Sequence, residues 1–393
     1  MSGRDGSIHP RRPSILRRTP FGETVHAKAA AQAAATGGGA VIPAGAIDCD
    51  IHAAVPSIRA LLPHLEPYWR EHILRRGLER DNLEASAFPV AAPINARPDW
   101  QPASGLPGSS LAEMRAHILD PLQPRAAICN VIHGAQMMMS EDLSAALCRA
   151  INNWLAAEWL DRDPRLRASI VVPVHSPDLA AEEIERMAPD RRFVQVLLLA
   201  MTELPLGRRQ NWPIYRAAEK HGLPVGIHAG SSFRHPPSAG GWGSFYLEDY
   251  VSYAQGFAGA LNSLLAEGVF QKFPALRVVL IESGVSWLPA SLWRINKTWR
   301  GMRAEVPWLD RMPSDIVRER VRLTAQPFDA PPDAGALETL LAQFGSDEML
   351  LFATDYPHWH YDGADPLPAG FPPGLLRKLL VDNALATYPR LAA

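Results

Sequence analysis

The stretch Asp48-Cys49-Asp50-Ile51-His52 sets polar side chains at alternating positions inside an otherwise apolar run, and it constrains this chain more than any other feature. In a β-strand successive side chains point to opposite faces, so the pattern predicts Asp48, Asp50 and His52 on one face and Ile47, Cys49 and Ile51 on the other. The apolar face can pack beneath helices. Burying unpartnered carboxylates is costly, and a divalent cation shared with the imidazole would offset that cost. Two later strand-like runs also end in ligand-type residues: Pro224-Val225-Gly226-Ile227-His228 and Leu350-Leu351-Phe352-Ala353-Thr354-Asp355.

From Ala46 onward short apolar runs alternate with longer helical patterns, the signature of βα units and a parallel sheet. Strands are predicted over 46–52, 126–132, 168–174, 192–200, 224–228, 277–283, 321–325 and 349–355. Helices are predicted over 140–159, with Leu143, Leu147, Ile151, Trp154 and Leu155 on one side, and over 177–187 and 212–221. Trp287, Trp293 and Trp299 read as a packed helix face. Eight strands with interposed helices favour an α/β fold of the (β/α)8, TIM-like barrel type over an open doubly wound sheet. A barrel builds its chemistry at the C-terminal ends of its strands, which is where His52, His228 and Asp355 fall. The segments 55–111 and 231–257 are long enough to wall or cover that mouth.

Composition removes several classes. The chain has 393 residues, 47% hydrophobic and 20% charged, enough to bury a large core. A formal charge of −2 gives no electrostatic reason to expect nucleic acid, and no apolar run approaches the roughly 18 residues of a membrane span. Three cysteines without a CxxC motif favour buried thiols in a reducing, cytoplasmic setting. Residues 1–45 are rich in arginine, alanine and glycine and poor in large apolar side chains, so they read as a disordered extension ahead of a barrel domain over 46–393. No GxSxG elbow, phosphate-binding GxxxxGK[ST] loop or dinucleotide-binding GxGxxG occurs.

Taken together, Ile47–His52, Gly226-Ile227-His228-Ala229-Gly230, Ile281-Glu282-Ser283-Gly284, Thr354-Asp355-Tyr356-Pro357-His358 and Asp382-Asn383-Ala384 with Tyr388 resemble the amidohydrolase superfamily. The resemblance is to the amidohydrolase-related branch (amidohydrolase 2), which includes aminocarboxymuconate-semialdehyde decarboxylase-like enzymes. It implies a distorted TIM barrel holding one divalent metal ion. The usual first-strand pair in that family is His-x-His, and Asp50 stands here for the first His. The implied ligands are therefore Asp50, His52, His228 and Asp355, two oxygens and two nitrogens that suit zinc or manganese. The fourth strand, Phe193 to Ala200, ends without the Lys that binuclear relatives carbamylate, which favours one metal.

Where many relatives present a His on the sixth strand, this chain presents Glu282. The resemblance makes Asp355 the catalytic proton carrier and Glu282 a second base or orienting group, with His358 and Arg234 as holders of a substrate carboxylate. The main expectation is a metal-dependent hydrolase of an ester, lactone or amide in a small carboxylated or aromatic compound. The alternative is a non-oxidative decarboxylase on the same site, against which the Glu282 exchange weighs. A third reading is a catalytically silent binding barrel. The expected partner is a small molecule, with neither nucleic acid nor membrane, and a homo-oligomer is compatible with the sequence.

Overall fold

The computed structural model describes residues 42–80, 96–231, 235–331, 333–358, 367–368 and 370–392. Most of the expected N-terminal extension, and Arg234, lie outside the described residues. Eight parallel strands follow in chain order: β1 (Ile47–Ile51), β2 (Ala126–Cys129), β3 (Leu166–Val171), β4 (Phe193–Met201), β5 (Val225–Ser231), β6 (Val278–Ile281), β7 (Val321–Thr324) and β8 (Leu350–Leu351). Each pairs with its sequence neighbour. The seam between β8 and β1 is closed by Cys49 N–H donating to the Phe352 carbonyl (2.9 Å), Asp355 N–H to Asp50 (3.0 Å) and His52 N–H to Tyr356 (2.8 Å), with a parallel bridge between Ile51 and Tyr356. Closure leaves no exposed edge, and the expected (β/α)8 barrel is the observed fold.

Between the strands run α1 (Pro67–Arg76), α2 (Glu141–Leu155), α3 (Pro177–Met187), α4 (Trp212–Lys220), α5 (Tyr246–Ala266), α6 (Trp287–Met302), α7 (Pro313–Arg320) and α8 (Ala334–Phe344). Helix α2 starts with Glu141 and Asp142, whose charges suit the positive end of the helix dipole, and buries Leu143, Leu147, Ile151, Trp154 and Leu155. Proline opens α3, where its missing N–H has no partner to lose. The long α5 was not legible as a helix in the 231–257 insert. Its start is fixed by Glu248, whose carboxylate accepts from Ser244 N–H (2.9 Å) and Phe245 N–H (2.8 Å). On α6, Trp287 and Trp299 pack against the core but Trp293 is exposed, because a six-residue step does not return to the same helix face.

The interior of the barrel is filled by Ile47, Cys49, Ile128, Val194, Leu197, Val279, Ile281 and Leu351, with Tyr388 and Leu391 of the C-terminal segment packed against them. Ile51, by contrast, belongs to the outer core beneath the helices. The simple alternation expected for β1 therefore fails. The β1–β2 register shifts between Asp48 and Ile51, and a local irregularity of this kind reverses the facing of every residue beyond it. Asp48 consequently does not share a face with Asp50 and His52. It stands beside Ala127, an outer-core residue, and accepts from Thr354 N–H (3.0 Å), Thr354 Oγ1 (2.7 Å) and Asp50 N–H (3.2 Å).

Asp48 thus fastens the seam from which Asp50 and Asp355 emerge. Replacing it by Ala leaves the Thr354 donors buried without an acceptor. Asp48→Ala is expected to lower stability by about 1–3 kcal/mol, read as a lower thermal or urea midpoint; an unchanged midpoint would show that the seam does not depend on it.

Candidate metal centre

The register shift turns Asp50 and His52 together toward the barrel mouth. His52 Nδ1 lies 2.9 Å from the Asn130 carbonyl oxygen. A carbonyl only accepts, so Nδ1 carries the hydrogen and Nε2 is left to face Asp355 Oδ1 at 3.0 Å and Asp50 Oδ1 at 3.6 Å. On β5 the strand alternation holds, and Gly226 and His228 both face inward. Gly226 has no room for a side chain, since a Cβ would meet Gln195 and Ile281 at 2.8 Å. His228 Nδ1 points at the Ala229 carbonyl (2.5 Å) and at Glu282 Oε2 (3.6 Å), which again leaves Nε2 to the centre, 3.7 Å from Asp50 Oδ2.

Asp50 Oδ2 and His228 Nε2 are buried and make no hydrogen bond among the described residues. Ligand atoms of Asp50, His52 and His228 lie within 4.8 Å of one another, and so do those of His52, Asp355 and His358. Asp50, His52 and His228 form the first group and Asp355 is linked to it through His52; two carboxylates and two imidazoles suit a divalent cation by donor type. All four of these side chains are buried.

Two of these groups are held in unusual backbone. Asp355 (φ +57°) and Glu282 (φ +61°) adopt the left-handed region that residues with a Cβ seldom occupy. Each is pinned from outside: Asp355 N–H by the Asp50 carbonyl, and Glu282 N–H by Thr324 Oγ1 at 2.9 Å. β8 is two residues long rather than the predicted seven because Phe352 N–H donates to the Leu379 carbonyl (3.0 Å) and Thr354 N–H to the Asp48 carboxylate (3.0 Å) instead of joining a ladder. His358, expected to meet substrate, returns through the turn at Asp355 so that its Nδ1 lies 2.9 Å from Asp355 Oδ1 and its ring 4.6 Å from that of His52.

The electrostatics follow from three carboxylates around two imidazoles. Burial alone would depress His52, but Asp50, Asp355 and Glu282 outweigh it and push the imidazole up to about 10. His228 is raised for the same reason: burial opposes, and Asp50 and Glu282 prevail. At neutral pH the His52 ring holds the proton that a cation would replace. No lysine stands at the end of β4, where the chain reads Leu199-Ala200-Met201.

Two participants were missed in the sequence. Asn130 donates its side-chain N–H to Asp50 Oδ1 (2.8 Å) while its carbonyl fixes His52, so one residue orients two candidate ligands. It is backed by Ser169 (2.5 Å) and Gln195 (3.1 Å), and Gln195 by Tyr388 (3.2 Å), a polar ladder across the barrel interior. A lone Asn in the apolar run 126–132 was the available signal. Tyr250 donates its hydroxyl hydrogen to Glu282, and its signal was the helical spacing of Tyr246, Tyr250 and Tyr253.

A parallel eight-stranded barrel with buried carboxylates and imidazoles at its C-terminal mouth is an architecture that serves metal-dependent barrel hydrolases and lyases. The family model for amidohydrolases matches residues 47–390, and the chain belongs to that family; it is an enzyme of the amidohydrolase superfamily. Among curated proteins it is similar to the gamma-resorcylate decarboxylase of Polaromonas sp., at 26% identity over 67% of this chain and 85% of the relative. Among solved structures it is similar in fold to a dihydroxybenzoic acid decarboxylase from Polaromonas with bound manganese and 2-nitroresorcinol (TM-score 0.59, 19% identity, 88% of this chain and 97% of that one). A 5-carboxyvanillate decarboxylase from Novosphingobium aromaticivorans, also with manganese, gives a TM-score of 0.62 at 20% identity over 88% of this chain and 96% of that one. These relatives are decarboxylases, which support the decarboxylase alternative better than the hydrolase expected as the main reading. Among the described residues, no helix is long and apolar enough to cross a membrane.

Because a cation would displace the His52 imidazolium proton, apparent affinity is expected to rise with pH through the neutral range. Titration calorimetry with Mn2+ in two buffers of different ionisation enthalpy is expected to report proton release; buffer-independent heats would mean the imidazoles are already neutral.

Proposed function

We propose that this enzyme is a non-oxidative decarboxylase of a hydroxylated aromatic acid, working with one divalent ion, manganese or zinc, held by Asp50, His52, His228 and Asp355. The observation that carries the reading is the match to gamma-resorcylate decarboxylases over most of their length, together with ligand-type residues gathered at the mouth. The Glu282 exchange, which weighed against decarboxylation while a sixth-strand His was taken as necessary, loses force because Glu282 is itself a built element: pinned by Thr324, bonded by Tyr250 and turned toward His228.

When bound, the ion supplies positive charge that anchors an anionic substrate and lowers the cost of charge accumulating on it. The protein's own residues handle the proton. Asp355 Oδ1 lies 2.9 Å from His358 Nδ1, which is able to return a proton to it while His52 Nε2 is engaged by the ion. In its protonated form Asp355 delivers that proton to the ring carbon bearing the carboxylate. The bond from that carbon to the carboxyl carbon then breaks, its electron pair restores the aromatic ring, and carbon dioxide leaves. Ring carbon gains one hydrogen for each carboxylate lost, so the balance needs no oxidant. Tyr246 and Tyr250 of α5, tilted 51° to each other at 5.8 Å between ring centroids, supply an aromatic wall beside Glu282 that suits a flat substrate.

Manganese-loaded enzyme incubated with 2,6-dihydroxybenzoate and related hydroxybenzoates in D2O is expected to release carbon dioxide and place one deuterium at the former carboxyl position. Asp355→Asn is expected to lower kcat by about 10²–10⁴-fold. Turnover of esters or lactones with no carbon dioxide from any hydroxybenzoate would reject the lyase in favour of a hydrolase.

A further inference from the structure

The polar contacts around Glu282 run in one direction. Tyr250, on the second turn of α5, donates to Glu282 Oε1, and Glu282 Oε2 faces His228 Nδ1 at 3.6 Å. The opposite ring nitrogen of His228 is the one aimed at Asp50. Tyr250 is held in turn by its neighbours, with ring centroids 5.8 Å from Tyr246 and 5.1 Å from Tyr253, and Tyr253 donates to Asp249 at 3.2 Å. The tyrosines recur at helical spacing, so one face of α5 is built to reach the mouth.

The His228 tautomer is fixed by the Ala229 carbonyl, which accepts from Nδ1 (2.5 Å), and a carboxylate held at ion-pair distance from that outer nitrogen makes the inner nitrogen a better donor. A carboxylate on a rotatable side chain does this only if its own orientation is set. Glu282 is set twice, by a left-handed backbone pinned to Thr324 and by the Tyr250 hydroxyl. We propose that Tyr250 and Glu282 act as a positioning pair for His228, so that α5, a helix inserted after β5, tunes the affinity of the metal centre through a tyrosine–carboxylate–imidazole chain. The inference rests on the metal centre proposed above and adds a role for α5 within it.

The test is a double-mutant cycle read by Mn2+ affinity, from calorimetry or the free-ion electron paramagnetic resonance signal, with thermal midpoints recorded to establish folding. Tyr250→Phe keeps the ring and its packing against Tyr246 and Tyr253 and removes only the hydroxyl; Glu282→Gln keeps the shape and removes the charge. Each is expected to weaken Mn2+ binding by about 10-fold or more, and the double variant no further than Glu282→Gln alone, because the hydroxyl acts only through the carboxylate. Unchanged affinity in Tyr250→Phe, or losses that multiply in the double variant, would overturn the pair. So would a Glu282→Gln loss far beyond about 100-fold, which would make Glu282 a ligand. Wild-type protein that binds no Mn2+ would overturn the centre itself, and wild-type binding with an unaffected Tyr250→Phe removes this inference while leaving the centre standing.

Discussion

The arrangement depends on keeping Asp50, Asp355 and Glu282 buried within reach of two imidazoles at one end of a closed barrel. Carboxylates in such a place repel one another and lose their water, so they are tolerated only when fixed to positive partners. Here the partners are His52 and His228, whose raised affinity for protons measures how much negative charge the protein has concentrated. A dication satisfies the same field with fewer groups. The pull toward a cation and the high proton affinity of the two rings are one electrostatic fact seen in two ways.

Holding that charge requires the backbone to be specified unusually tightly. Asp50 reaches the mouth because the β1–β2 register shifts, while Asp355 and Glu282 reach it because each adopts a left-handed conformation that neighbouring strands enforce. The surrounding hydrogen bonds are redundant: Asp48 ties β1 to Thr354, Asn130 holds Asp50 and His52 at once, and Ser169, Gln195 and Tyr388 support Asn130. Such networks rigidify a site only when every member is bonded, and here the chain continues to the C-terminal segment beneath the barrel. Orientation of the site is thereby coupled to packing at the opposite end of the molecule.

The barrel, and the placement of Asp50, His52, His228 and Asp355 near one another at its mouth, were readable because β-strand runs and ligand-type residues both announce themselves locally. What was not readable depended on pairing between distant segments. The register shift in β1 has no signature in Asp48–His52 alone, so Asp48 was assigned to the wrong face. The left-handed turn at Glu282 ends β6, and bonds from Phe352 to Leu379 and from Thr354 to Asp48 end β8, short of their apolar runs, because strand propensity is insensitive to a single residue's dihedral angle or to distant acceptors. Helix α5 was hidden by its aromatic and glycine-containing composition, and with it the contact between Tyr250 and Glu282. Reaction type was the remaining ambiguity, since one metal-binding rim serves hydrolases and lyases alike, and similarity to decarboxylases moved the reading from the first to the second.

The most direct measurement is an anomalous-scattering crystal structure of the Mn2+-loaded protein. The account predicts a single strong peak at the barrel mouth, bonded to carboxylate oxygens of Asp50 and Asp355 and to the Nε2 atoms of His52 and His228, with both Nδ1 atoms turned to their protein acceptors. A peak elsewhere, or coordination through Nδ1, would contradict it.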